Sequence, residues 1–169
     1  IENLKFKIKN SAQRIEGYDI SHFGGKDPVG AMAVFVNGLS ETSQYRLFKI
    51  KNESNKFNDL AMLQEILERR LHHNEWHAPD IILVDGGKNQ VKIAKEVLAR
   101  RNIFIPIVGI AKILGHSGSA AIGDKFFFAN TKPRTKKLLL NSKVLFQQVR
   151  NEAHRFAISF QKRQRKLKI

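Results

Sequence analysis

Two aspartates and a histidine are the residues of this chain whose types and positions best suit chemistry. Asp19 lies in the run Arg14-Ile15-Glu16-Gly17-Tyr18-Asp19-Ile20-Ser21-His22, and Asp85 closes Ile81-Ile82-Leu83-Val84 just before Gly86-Gly87-Lys88. A carboxylate at the mouth of an apolar strand is poorly explained by folding alone, because burying it costs desolvation. Each has an ordinary explanation when taken singly. Asp85 could be a turn residue or the N-cap of a following helix, and Asp19 could be an edge residue paired with a basic neighbour. Together, on a chain of formal net charge +15, they suggest hard oxygen ligands for Mg²⁺ or Mn²⁺ acting on a phosphate backbone. His154, in Arg150-Asn151-Glu152-Ala153-His154-Arg155-Phe156-Ala157, is the third candidate, and an imidazole suits Mn²⁺ better than Mg²⁺. At 100° per residue, Leu145, Val149, Ala153, Phe156 and Phe160 share one apolar stripe, whereas Arg150, His154, Gln161 and Arg165 gather on another face. His154 can therefore face a cleft, as a metal ligand or as the group that orients or deprotonates water. The competing explanation is a solvated basic face carrying an ordinary histidine.

Other polar groups are weaker candidates. Lys88, after Gly86-Gly87 at a helix start, could contact a phosphate alongside the backbone N–H groups. It lacks the spaced first glycine of a P-loop. Arg150 and Arg155 are further candidates to stabilise phosphate charge. His22 could hydrogen-bond a carboxylate or be an ordinary strand residue. His72, His73 and His77 fall where a helix should end, with no acid or cysteine to complete a zinc set.

The elements that must position these groups follow from periodicity. Residues 1–13 are polar and basic and read as an incoming linker. A strand is predicted at 14–22, a turn-rich loop at 24–28, a strand at 31–36, and a hairpin at Asn37-Gly38, where both residues tolerate positive φ. The alternation over 44–50 completes a three-stranded antiparallel meander. Leu60, Leu63, Leu67 and Leu71 then mark a helix face, with Asn58 or Asp59 as cap. Ile81–Val84 and 105–111 read as strands covered on both faces, separated by a helix carrying Val91, Ala94 and Leu98. Residues 115–123 read as a loop, 125–129 as a short strand, 132–137 as a basic loop, and 142–165 as a long helix. Three strands, helix, strand, helix, strand and a long helix match the ribonuclease H-like layout. That is an α/β fold with a mixed sheet, an antiparallel meander plus parallel strands flanked by helices. In such sheets chemistry collects at the carboxyl ends of strands, where Asp85 lies and near which Asp19 lies on a strand expected to be central. No repeat or second domain is evident, so residues 14–169 form one expected domain.

Composition narrows the class. A hydrophobic fraction of 42% with 12 Phe argues against global disorder. The basic excess points to a polyanion, because lysine and arginine release counterions from phosphates on binding. It disfavours a membrane surface, since the basic residues are spread along the chain and no apolar run approaches a spanning length. With no cysteine, disulfides and thiolate zinc sites are excluded. The chain starts at Ile1 rather than Met and shows no secretory signal, so an intracellular piece of something longer is expected, cytoplasmic and monomeric.

At these residues the sequence resembles a known family. Gly17-Tyr18-Asp19-Ile20-Ser21-His22, Leu83-Val84-Asp85-Gly86-Gly87-Lys88-Asn89-Gln90 and Glu152-Ala153-His154-Arg155-Phe156-Ala157 look like the three signature stretches of the UvrC C-terminal endonuclease domain. Asn58-Asp59-Leu60-Ala61-Met62 and Val108-Gly109-Ile110-Ala111-Lys112 agree as well. The resemblance runs from about Arg14 to Arg165. It implies a ribonuclease H-like nuclease that makes the 5′ incision in damaged double-stranded DNA during excision repair, working with UvrB on DNA after UvrA. By motif, the catalytic aspartates fall on Asp19 and Asp85, the catalytic histidine on His154, and a further acidic position linked to activity on Asp59. Asn151 stands where the family often has an aspartate. The GIY-YIG nuclease, the UvrB-binding segment and the helix-hairpin-helix module of full-length relatives have no counterpart in this sequence. The rival expectations are a catalytically silent basic DNA- or protein-binding module and a related nuclease acting on RNA or branched DNA.

Overall fold

The computed structural model describes residues 13–21, 28–114 and 121–166. His22, most of the expected linker and glycine loop, and residues 115–120 lie outside them. Strand β1 (Arg14–Ser21) is buried along nearly its whole length. Its alternate residues serve two layers, with Ile15 in one apolar cluster and Tyr18 in the other. β2 (Val29–Val36) pairs antiparallel with β1, placing Asp19 opposite Ala31 and Gly17 opposite Ala33. The hairpin forms at Asn37 and Gly38, whose φ values of 53° and 82° are both positive. The third strand of the meander comes in two pieces, β3 (Leu39–Ser40) and β4 (Arg46–Lys49), both paired with β2 and separated by a 3-10 turn at Thr42–Gln44.

Helix α1 spans Asp59–Arg70. Asn58 is its cap, accepting from the N–H groups of Leu60 and Ala61 at 3.0 and 3.2 Å. Its buried face is Met62, Leu63, Ile66, Leu67 and Arg70. Leu63 and Leu67 lie on that face as expected, while Leu60 and Leu71 are only half-buried. β5 (Ile81–Asp85) runs parallel to β1, and α2 (Lys88–Ala99) leads to β6 (Ile107–Leu114), parallel to β5. β7 (Ala121–Ala129) returns antiparallel along β6. The stretch expected as a basic loop is instead helix α3 (Pro133–Leu139). Pro133 begins it, where the missing N–H costs nothing. A 3-10 turn then joins it to α4 (Lys143–Lys166).

The sheet order is β3-β2-β1-β5-β6-β7, with β4 also beside β2. β1 is thus central, and the mixed sheet of the expected fold is present. Helices α1 and α2 pack on one face, where Met62, Ile66, Val91 and Leu98 join Tyr18, Ile82 and Val84. Leu139 of α3 and Phe146 and Val149 of α4 pack on the other, over Ile15, Leu83 and Val108. Among the described residues, no helix is long and apolar enough to cross a membrane.

One buried charge cluster locks α1 to β1. Glu16 is fully buried and accepts from Arg14 Nε at 2.9 Å, from Arg70 Nε and Nη2 at 2.9 Å each, and from Tyr18 Oη at 2.7 Å. One carboxylate between two guanidiniums has its lone pairs satisfied, the condition under which a buried charge is tolerated.

Candidate metal centre

Asp19 projects from the face of β1 that α4 covers, and it is 4% exposed. Two residues earlier on that face, Gly17 sets how near the helix can come. A Cβ there would sit 2.4 Å from Val149 Cγ1 and 3.4 Å from the Val149 carbonyl oxygen. The floor is shallow elsewhere too. Ala31 and Ala33 are fully buried beside Asp19 and Gly17, and α4 offers Ala153 and Ala157 in return. His154 follows Val149 by ~7.5 Å of helix rise, while Asp19 follows Gly17 by ~6.7 Å of strand. The two steps match closely enough for His154 Nδ1 to reach Asp19 Oδ2, at 3.3 Å. Farther along, Gln161 Nε2 donates to the Ser21 carbonyl at 3.1 Å. Gln161 is therefore buried against the end of β1, not on the outward face expected for it.

Asp85 arrives from the neighbouring strand. Tyr18 pairs with Val84 in the parallel β1–β5 ladder, so the next residues, Asp19 and Asp85, end side by side. Gly86, with φ of +144°, then turns the chain away, a conformation open essentially only to glycine. The turn is held by Gly86 N–H to the Ile110 carbonyl at 2.8 Å and by Gly87 N–H to Gln90 Oε1 at 3.0 Å. Two of the three N–H groups of Gly86-Gly87-Lys88 are thereby committed within the protein.

Asp19, Asp85 and His154 each bring one donor atom to within 4.8 Å of the others. Burial and the neighbouring Asp85 carboxylate push the Asp19 carboxyl up to about 6, against the opposing effect of His154. A buried Asp19 carboxylate beside the exposed Asp85 carboxylate is repelled by it, and a divalent cation between them would relieve the repulsion. Two oxygen donors and one imidazole therefore fit a divalent ion.

The other candidates are placed differently. Asp59 is the first residue of α1. Val29 lies opposite both Ser21 and Lys49, so β4 hands the chain to α1 at the Asp19 end of the sheet. Asp59 shares that end but is not one of the three grouped residues. Lys88 is exposed at the first turn of α2, three residues from Asp85. Arg150 is not solvated as its helical face suggested. It donates to Asp124 Oδ1 at 2.5 Å with both side chains 11% exposed, and Gln147 holds the other Asp124 oxygen at 2.7 Å. This brace joins α4 to β7. Arg155 is exposed and forks onto Glu152 at 2.8 and 2.6 Å, and Glu152 also accepts from Tyr45 Oη at 3.2 Å. The Arg155 hydrogen bond holds the Glu152 carboxyl below the usual range. Glu152, Tyr45 and Asp124 were not anticipated. Gly17 could have been, because a glycine inside a buried strand marks a close approach of other backbone.

The sheet order, with an acid pair at its centre facing a helix-borne histidine, defines a ribonuclease H-like domain. The family model described as UvrC RNAse H endonuclease domain matches residues 3–158, and the chain belongs to that family. It is 37% identical over 161 residues to the UvrABC system protein C of Chlorobium phaeobacteroides, covering 94% of this chain and 24% of that protein. It is 41% identical over 159 residues to the protein of that name from Methanococcoides burtonii, covering 92% and 25%. The chain spans about a quarter of the length of these curated relatives. Among solved structures, a protein of unknown function from Archaeoglobus fulgidus is similar with a TM-score of 0.51 and 12% identity, over 87% of this chain and 97% of that one. That likeness concerns the fold alone.

Proposed function

We propose that this domain is the metal-dependent DNA endonuclease that makes the 5′ incision near a lesion in nucleotide excision repair. The observation that carries the proposal is the convergence of Asp19, Asp85 and His154 at the centre of the sheet. Mg²⁺ or Mn²⁺ would be held by Asp19 and Asp85, with His154 as third ligand or as the group that orients or deprotonates water. Such an ion, when bound, neutralises charge on the scissile phosphate and makes bound water more acidic. The exposed imidazole of His154, steadied through Nδ1 by Asp19, can take a proton from an incoming water on the solvent side. Asp59, at the same end of the sheet, is a further acidic contributor.

Lys88 is the foremost phosphate contact, being exposed beside Asp85. Arg150 and Arg155 would have to exchange Asp124 and Glu152 for a phosphate. The substrate is damaged double-stranded DNA already carrying UvrB, loaded through UvrA, and the protein acts in the cytoplasm as a monomer. Residues 14–169 serve as the nuclease unit and 1–13 as its linker. A mere polyanion binder would gain nothing from two carboxylates at its centre. Asp19→Ala and Asp85→Ala should each abolish nicking while the circular dichroism spectrum stays native, and full activity in either variant would sink the assignment.

A further inference from the structure

β7 is an edge strand, bonded to β6 on one side and to no strand among the described residues on the other. Three lysines lie over its three successive phenylalanines. Lys143 Nζ is 5.6 Å from the Phe126 ring centroid, Lys125 Nζ 5.6 Å from Phe127, and Lys136 Nζ 5.8 Å from Phe128. Beside this edge, Lys88, Lys92 and Lys95 recur along α2 at i, i+4 and i+7, all exposed and on one helix face. The two rows enclose an open groove of about 370 Å³. It is lined by Lys88, Lys92, Lys95 and Lys136 with Val91, Ala129 and the Phe126–Phe128 run of β7, and by no acidic side chain among the described residues. Phe127 packs toward α2, and Phe126 and Phe128 pack toward α3 and α4.

Charged edge lysines are a common device against edge-to-edge aggregation. Two features go beyond that role. The α2 lysines do not belong to the edge strand, and the row begins at Lys88, three residues from Asp85. The groove therefore starts, at Lys88, close in sequence to Asp85 of the Asp19, Asp85 and His154 cluster, and it gathers four cations along one path. Lys88 to Lys95 covers ~10 Å of helix, about the axial rise of three nucleotides at ~3.4 Å each.

We propose that this groove holds the backbone of about three nucleotides of the strand being cut, leading away from the scissile phosphate. Lys92, Lys95 and Lys136 meet its phosphates, with Phe127 as the apolar ground on the α2 side. Lysine is the suitable residue here, because a flexible point charge follows a backbone without reading its sequence. The inference rests on the proposal that the Asp19 cluster works on a nucleic-acid strand.

The test is DNA binding in EDTA, where the metal centre plays no part. Lys92→Gln/Lys95→Gln is compared with Arg100→Gln/Arg101→Gln, which removes the same charge just past the C-terminal end of α2. The groove variant should bind about tenfold more weakly at low salt, and the slope of log K against log salt should flatten by about 1.5. The control should stay near wild type. Equal losses in both variants would mean undirected attraction to a basic protein, and no loss in the groove variant would mean edge protection only. Either result overturns the proposal. Nicking by Asp19→Ala remains a separate readout, so a failed catalytic assignment and a failed groove are distinguishable.

Discussion

Asp19 is the residue on which the account turns, and its titration is directly accessible. Its carboxyl is pushed from an ordinary 3.8 up to about 6 by burial and by Asp85. Between those values the folded protein keeps a proton that the unfolded chain has released. Without divalent ions, stability should therefore fall as pH rises from about 4 to about 6 and stay lowered above that. The penalty at neutral pH is on the order of 2–3 kcal/mol. Asp19→Asn removes the buried like charge, so its Tm in EDTA at pH 7.5 should exceed that of the wild type, as scanning calorimetry can read. A lower Tm would show that Asp19 is stabilised by its surroundings. Adding Mn²⁺ should raise the Tm of the wild type, because a ligand of the folded state stabilises it. In Asp19→Asn that rise should largely vanish.

At the scale of the element, the site exists because α4 lies close on β1 and because β5 ends level with Asp19 of β1. Gly17→Ala places a methyl 2.4 Å from Val149 Cγ1. Overpacking of this kind costs ~1–3 kcal/mol, and the helix that carries His154 must shift. Nicking should fall by at least tenfold while the far-ultraviolet spectrum stays native, and unchanged turnover would mean that the spacing of α4 does not matter. Gly86→Ala, at φ +144°, should cost ~1–3 kcal/mol through backbone strain and turn Asp85 away from Asp19. Much of this layer was legible in the sequence. The period-two runs, the Asn37-Gly38 turn and the covered strands name the sheet, and the strand ends name the acids. Other parts were hidden for physical reasons. α3 has a single buried residue, Leu139, so no apolar stripe betrays it among its lysines. The buried line of α4 runs through Phe146, Val149, Ala153, Ala157 and Gln161. It includes a glutamine because the end of β1 needs a donor for a carbonyl, a demand that hydropathy does not register. The tie of Arg150 to Asp124 depends on β7 reaching back to α4, which no local pattern contains.

The whole molecule combines a neutralised interior with a strongly basic exterior. Glu16 sits between Arg14 and Arg70 in the one buried carboxylate–guanidinium cluster among the described residues. Glu16→Gln leaves two guanidiniums underpaired, and breaking such a cluster typically costs ~3–5 kcal/mol. Urea unfolding should show a loss of that size with an unchanged m value, and a loss below 1 kcal/mol would mean that water reaches the cluster. Outside, the +15 charge should make DNA binding fall steeply with salt. The sequence exposes this division through net charge and through acids at strand ends. Strand order was not readable, since which strand lies beside which is decided by the crossovers α1 and α2.

The most direct measurement is anomalous scattering from crystals grown in Mn²⁺. A peak coordinated by carboxylate oxygens of both Asp19 and Asp85, with His154 bound to the ion or to its water, is the expected result. Asp19 and Asp85 without a peak between them at saturating Mn²⁺, or a peak held elsewhere in the chain, would contradict the account.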